Sequence, residues 1–237
     1  MNIVFIIWYS VRQLVMSTSK VRSDVLYRTN RGHMPRNARH AQGKEDRRVG
    51  RTRKLLEEAL YDLIVEKGYD AVTVQDIIDR ANVGRSTFYA HYNDKKQLLF
   101  SHFGELEAEL TEQQRLVRAR TDDSIARVFG FSLAMFRHAN QYRRVWSAIV
   151  GKQTGTAVLR ELQGILEKIV GREINALVQR GSAAVPPPVV TRFVVNSLLG
   201  MHTWWMDEGS RYSAEDVDRM FRVLTKPGIA AALRPAR

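Results

Sequence analysis

Between Thr73 and Lys95 the chain signals three helix starts in quick succession, and that crowding constrains the fold more than any other feature. Thr73 and Asp76 stand at the T-x-x-D spacing of a capping box, in which the hydroxyl accepts from a backbone N–H three residues on and the carboxylate reaches back. Asn82-Val83-Gly84 breaks the resulting helix after about two turns, because these residue types favour turns over helix. A third helix is predicted through Ser86-Thr87-Phe88-Tyr89-Ala90-His91-Tyr92, and Asp94 with Gln97 offers another box for a long helix from Lys95. Isolated helices below ~12–15 residues are marginal in water. These short segments therefore have to pack on one another, which requires a small all-α core.

The partner for that core precedes it. From Arg51 to Gly68, Leu55, Leu56, Ala59, Leu60, Leu63 and Ile64 recur at three- and four-residue spacing, the mark of an amphipathic helix, and Gly68 suits a left-handed stop. The second helix would bury Val74, Ile77, Ile78 and Ala81 against it. A helix, a tight turn and a second helix is the arrangement in which one helix braces the backbone while the next enters a DNA major groove about 12 Å wide. Arg85, Ser86 and Thr87 crowd the third helix's amino end, where free N–H groups and the helix dipole attract phosphate. Tyr89 and His91 add hydrogen-bonding groups, Lys95 is placed for a phosphate, and Arg85 and Ala90 are the residues expected on the base-reading face. Phe88 and Tyr92, four apart, fit core packing, and His91 fits a capping or packing role as well as a DNA contact.

Charge agrees with a nucleic-acid partner, but its location matters more than its sum. The formal charge is +12, from 37 Lys+Arg against 25 Asp+Glu. Residues 1–50 hold ten basic and three acidic side chains, whereas residues 51–100 hold eight of each. Recognition in the helical segment must therefore come from where its basic groups sit. The opening run Ile3-Val4-Phe5-Ile6-Ile7-Trp8-Tyr9 is far short of the ~20 residues needed to span a bilayer and lacks a basic segment before it, so it is a poor signal peptide. Residues 1–48 have little periodicity and are expected as a basic, disordered leader. Two readings of it stand: Met16 and Met34 offer downstream starts, and Arg31 to Arg48 could extend along phosphates or the minor groove. The absence of cysteine removes disulfide frameworks, thiol catalysis and thiolate zinc sites, and is compatible with a cytoplasmic location.

A DNA-binding domain is thus expected at 49–97, a larger helical regulatory and dimerisation domain at 98–228, and a flexible tail at 229–237. The fourth helix runs from Asp94 toward Arg120. An unusually apolar helix is predicted from Ile125 to His138, a shorter one from Tyr142 to Val150, and two more over Ala157–Val170 and Glu173–Gln179. After Pro186-Pro187-Pro188 a long helix spans Val189 to Glu208, with Val190, Phe193, Val194, Leu198, Met201, Trp204 and Trp205 in a broad apolar stripe. Ser213 with Asp216 caps the last helix, which should stop at Pro227. Phe129, Met135, Phe136, Trp146 and Trp204 either line an apolar cavity for a small effector or simply fill the core, and periodicity does not separate the two.

The run Ala71-Val-Thr-Val-Gln-Asp-Ile-Ile-Asp-Arg-Ala-Asn-Val-Gly-Arg-Ser-Thr-Phe-Tyr-Ala-His-Tyr-Asn-Asp-Lys-Lys-Gln-Leu-Leu-Phe100 closely resembles the amino-terminal DNA-binding domain of TetR-type (TetR/AcrR) transcriptional regulators. The resemblance is specific over 51–100, and the length to about 228 is compatible with the family's two-domain, all-helical plan. It implies that the helix near Arg85 reads the groove, that the Thr87, Tyr89, His91 and Lys95 positions contact phosphates, and that Phe88 and Tyr92 hold the core. Thr73 is placed with them among the DNA-binding candidates. It also implies a homodimer on double-stranded DNA with a near-palindromic operator, mostly repressing, and released when a small ligand occupies the second domain. The last two helices resemble the pair that the family contributes to a four-helix dimer interface, although packing within one subunit would give the same periodicity. Gly84 departs from the Ser often found where the reading helix is capped, which weakens the cap.

Catalysis has no support in the residues. The six histidines form no H-E-x-x-H, and there is no nucleophile elbow or phosphate-cradling glycine loop, so no catalytic residue, metal or cofactor is expected. The alternative function is a ligand-independent architectural or nucleoid-type DNA-binding protein.

Overall fold

The chain divides into two compact units, Met1–Arg51 and Thr52–Arg237, and the computed structural model describes residues 36–178, 183–207 and 211–234, with side chains from residue 48 onward. Every regular element among them except a short bridge near 183 is helical. The expected leader is mostly residues 1–35, which lie outside the described residues. Its last part, 36–48, belongs to helix α1, Arg36–Lys67, so helix begins before Arg51. Gly43 and Gly50 within it cost about 1 kcal/mol each and do not end it.

Leu56, Ala59, Leu60, Leu63 and Ile64 of α1 are buried, as their spacing requires. Gly68 ends the helix at φ 77°, a left-handed conformation that a side chain would strain, and donates its N–H to Ile64 O at 2.9 Å. A single 3-10 turn, Tyr69–Ala71, leads into α2, Val74–Ala81, whose capping box is present in both directions. Asn82 takes the left-handed turn at φ 51°, and α3 spans Arg85–Tyr89.

Helix α4, Lys95–Arg120, runs unbroken through the boundary expected near residue 97, so residues 52–237 form one compact unit. Asp94 accepts from Gln97 N at 2.6 Å, but Gln97 Oε1 accepts from Asn93 N, one residue before the cap, so the expected box is only half formed. Beyond it come α5, Ser124–Val128, α6, Ser132–Gln141, α7, Arg143–Ile149, α8, Gln153–Val178, α9, Pro187–Asp207, and α10, Ala214–Ala232. Helix α9 packs along α8, α10 lies against α6 and α9, and α4 crosses α8 and α6.

Three expected helix boundaries are corrected. Ile125–His138 is two helices, because the chain turns over Phe129–Phe131. At that turn a Cβ on residue 130 would lie 2.6 Å from Gln114 Oε1, so Gly130 admits the Gln114 amide, which donates to Arg127 O. The turn is held from the far side by α10. Ser132 Oγ donates to Asp218, Arg222 Nε donates to Asp218 Oδ2 at 2.7 Å, and Arg222 Nη2 donates to Phe129 O at 2.8 Å. Secondly, Ala157–Val170 and the segment from Glu173 are a single helix as far as Val178, beyond which Gln179 lies outside the described residues, and Gly171 between them does not end it. Thirdly, α10 continues through Pro227 into the expected tail: Thr225 and Ile229 are buried on either side, and Val185 N donates to Ala232 O at 3.1 Å. Burial of that face outweighs the hydrogen bond that proline removes.

The bundle also encloses imidazoles. His102 of α4 and His138 of α6 stack at 5.2 Å, with Tyr142 at 5.1 and 4.7 Å from them and Tyr61 of α1 at 5.4 Å from Tyr142. Burial depresses His138 to about 3 and His202 of α9 to about 4, with His102 and His202 adding to the effect on the former and Arg143 on the latter. Folded protein therefore keeps them neutral, while the unfolded chain binds protons near the ordinary 6.5. Stability is expected to be full above that value and to fall as the pH drops through it toward 4 and 3. Urea midpoints measured from pH 7.5 to 4.5 should show this decline, and His202→Phe should flatten it; an identical decline in the variant would remove this cause.

Candidate nucleic-acid interface

The expected DNA-binding residues form one surface around α2 and α3. Phe88 is fully buried and meets Tyr92 at 6.1 Å and Tyr89 at 5.3 Å between ring centroids. With Phe88 turned inward, Arg85, Ser86, Tyr89 and Ala90 are exposed, and Thr87 and His91 are partly so. Tyr89 has half of its surface free, at 50%. Gly84 caps α3 without a side-chain hydrogen bond, in line with the weakened cap expected there.

The supports of this surface are polar and local. Thr73 Oγ1 accepts from Asp76 N at 3.1 Å, while Thr73 N and Oγ1 both donate to Asp76 Oδ2, at 2.7 and 2.6 Å. Lys67 of α1 stands 2.7 Å from the same carboxylate, and together these donors hold Asp76 well below the usual carboxylate range. Arg80 clasps Glu66 through two bonds of 2.9 and 2.7 Å, tying α2 to α1 a second time. Both pairs are solvent-exposed, so each sets orientation more than stability.

Arg85 Nη2 donates to Gln75 Oε1 at 2.8 Å, and Gln75 Nε2 donates to Asp79 Oδ1 at 2.7 Å. Gln75 is therefore a surface residue that the sequence did not single out. Its signal was a polar side chain beside the apolar stripe of α2. His91 is pushed below its ordinary value by partial burial and by Arg53, so it is neutral at pH 7 and offers a hydrogen bond without charge.

Lys95 is already engaged within the free protein. Its ammonium donates to three carbonyls, Tyr69 O at 2.9 Å, Asp70 O at 3.2 Å and Val72 O at 2.7 Å, and lies 4.5 Å above the Tyr69 ring. An ammonium has three donors, and all three are directed at the turn between α1 and α2.

The residues expected at an effector cavity are dispersed. Phe129, Met135 and Phe136 are fully buried, Phe129 edge-on to Phe221 at 5.5 Å and Phe136 edge-on to Phe221 and Trp205 at 6.0 Å each. Trp146 is 6% exposed and meets His202 edge-on at 4.9 Å, whereas Trp204 is 40% exposed and lies against Tyr212. Phe129 and Phe136 both meet Phe221 within the core, whereas Trp204 is partly open to solvent. Among the described residues no cluster of His, Asp or Glu could hold a metal, and no helix is long and apolar enough to cross a membrane.

Comparison with known proteins places the match on this surface. Residues 56–101 match the family described as bacterial regulatory proteins, tetR family. The chain is 47% identical over 55 residues to the uncharacterized HTH-type transcriptional regulator YxbF of Bacillus subtilis, a stretch covering 23% of this chain and 14% of that protein. It is 42% identical over 52 residues to YdeS of the same organism, also an uncharacterized HTH-type transcriptional regulator, covering 22% and 26%. The match thus spans 14% of one relative and 26% of the other. The fold extends further: a TetR-family transcriptional regulator from Syntrophomonas wolfei superposes with TM-score 0.65 over 76% of this chain and 95% of that one, at 18% identity.

Removing the Lys95 ammonium leaves three carbonyls without their donor, at a cost of about 1–3 kcal/mol. Lys95→Met is expected to lower the urea midpoint accordingly and to speed amide exchange in the 69–76 segment. Unchanged exchange there would show that the clamp does not hold the turn.

Proposed function

We propose that the chain, whose residues 56–101 match the tetR family of bacterial regulatory proteins, is a DNA-binding transcriptional regulator of that type, acts as a homodimeric repressor on a near-palindromic operator and is released by a small hydrophobic or aromatic effector. The observation that carries the DNA-contact assignment is the inward turn of Phe88, which leaves Arg85, Ser86, Tyr89 and Ala90 on one free face of α3. In this reading Arg85 and Ala90 face base edges, and Ser86, Thr87, Tyr89 and His91 reach phosphates. Thr73 contributes through the start of α2, where its hydroxyl is already bonded to Asp76. Lys95 positions these groups by holding the turn before α2 and adds its charge to the surface.

A guanidinium bonded to a glutamine is poised between two partners: Gln75 fixes Arg85 in the free protein, and a guanine edge offers a bidentate acceptor in exchange. The dimer assignment is supported by apolar side chains that the subunit leaves uncovered. Val189 and Phe193, one turn apart on α9, are 56% and 53% exposed, and Val223 and Leu224 on α10 are 68% and 72% exposed. Val190, Val194, Leu198, Val217 and Phe221 of the same helices are buried within the subunit. Each helix therefore has two apolar faces, one more than its own core uses, as a helix shared with a partner would.

A selection from random DNA with purified protein is expected to return a near-palindromic motif. Arg85→Ala should lose about 1–3 kcal/mol of preference at one position of each half-site while binding to random DNA stays nearly the same. Equal losses on operator and random sequence would remove the reading role from Arg85. Phe193→Asp with Leu224→Asp should convert the protein to a folded monomer in sedimentation and abolish tight operator binding. A dimer that persists in the double variant would locate the interface elsewhere.

A further inference from the structure

Arg143 opens α7 inside the larger helical part, and its guanidinium is only half used. Nη1 donates to Trp205 O at 3.0 Å and Met206 O at 3.3 Å, and the plane lies 4.8 Å from the Trp205 ring centroid. Nε and Nη2 are buried and have no hydrogen-bond partner in the structure. That pair of N–H groups is one side of the guanidinium, with the spacing that a carboxylate matches with two parallel bonds. A buried guanidinium edge without an acceptor or counter-charge is costly.

Two further unpartnered groups lie on the same pair of helices, and the Arg143 charge is near enough to His202 to lower its pKa. Trp146 Nε1, three residues on along α7, is buried without an acceptor. His202 Nδ1 is likewise unpartnered on a side chain only 3% exposed, and the two rings meet edge-on at 4.9 Å. The nitrogens of Arg143 and Trp146 only donate, so side chains alone do not satisfy the group: it has an excess of donors. Buried polar groups are rarely left so, and three donors of one kind between α7 and α9 require an acceptor from outside the chain. The surroundings are apolar, with Phe136 on Trp205 and Ile149 buried on α7.

We infer that Arg143, Trp146 and His202 form the anion end of an effector site, which takes a carboxylate carried on a small apolar body. The carboxylate accepts from Nε and Nη2 of Arg143 and from Trp146 Nε1, and His202 completes the ring of polar contacts. This rests on the effector reading above and sharpens it, from a hydrophobic compound to an organic acid.

The test uses the full-length protein and four probes: benzoate and octanoate, with benzyl alcohol and octanol as their uncharged counterparts. Calorimetry and thermal shift are expected to show binding of at least one acid and a higher melting temperature, with neither alcohol doing so at the same concentration. Arg143→Gln should weaken acid binding at least tenfold. Trp146→Phe, which keeps the ring against His202, should weaken it several-fold even if Arg143→Gln fails to fold. Equal binding of acids and alcohols, or acid binding unchanged in Trp146→Phe and in folded Arg143→Gln, overturns the site. So does the lack of any effect of either acid, with a water found between Arg143 and Trp146 in a crystal structure. Operator binding is measured separately by anisotropy. Acid binding without DNA release would sink the effector reading and leave the site standing, whereas release by a neutral compound with no acid binding would do the reverse.

Discussion

A five-residue helix has no stability of its own, so the direction in which α3 faces depends on the burial of Phe88. That ring is fully enclosed by the small core built from α1, α2 and the start of α4, and its position decides which neighbours are outward: Arg85, Ser86, Tyr89 and Ala90. The remaining supports act on the elements that hold Phe88. Lys67 and Arg80 tie α2 to α1, and Lys95 closes the turn between them through three carbonyls. The Lys67 and Arg80 pairs are worth little alone at solvent-exposed sites, and the partly buried Lys95 clamp carries more. Their joint effect is to give a helix too short to orient itself a single orientation, which is what a groove-reading surface requires.

Much of this was legible in the sequence because it depends on local chemistry. The Thr73 and Ser213 capping boxes, the left-handed Gly68 and the three-and-four spacing of Leu56, Leu60 and Leu63 are each decided within a few residues, and each stands where its pattern put it. The features that were not legible depend on partners far along the chain. The break at Phe129–Phe131 needs Gln114 from α4 and Arg222 from α10, which bond residues 13 and 93 positions away. The run from Ile125 to His138 has no local breaker except Gly130, and a glycine in an apolar helix is not by itself a stop. The Lys95 clamp was hidden for a related reason: a basic residue beginning a helix beside a DNA-reading segment fits a phosphate, and nothing nearby in sequence reveals that Tyr69, Asp70 and Val72 present their carbonyls to it.

The larger helical part illustrates the same limit for binding sites. Apolar periodicity selected Phe129, Met135 and Phe136, and these fill the core because large rings at core spacing are the usual means of filling it. The residues that stand out in the structure are polar ones within that apolar frame. Arg143 begins a seven-residue helix and His202 lies in the middle of a long one, and only the fold brings them to Trp146. A sequence shows which residues are able to bond, whereas an unsatisfied donor is a property of three-dimensional neighbours.

A ring contact links the segment that carries the proposed anion site to α1. Tyr142 immediately precedes Arg143, and its ring stands edge-on to Tyr61 of α1 at 5.4 Å while also meeting His138 and His102. Arg143 in turn holds the end of α9 through the Trp205 and Met206 carbonyls. A ligand that bound equally well in every arrangement of these groups would shift nothing, however tightly it bound. For an acid to release DNA, its two bonds to Arg143 must be better in an arrangement where Tyr142 no longer supports α1 as it does here. A typical coupling of 1–3 kcal/mol is about the value of one charge-assisted hydrogen bond. A small realignment of one guanidinium, transmitted to its neighbour in the chain, is therefore sufficient in energy, and the distance from the site to the groove-reading face needs no larger source.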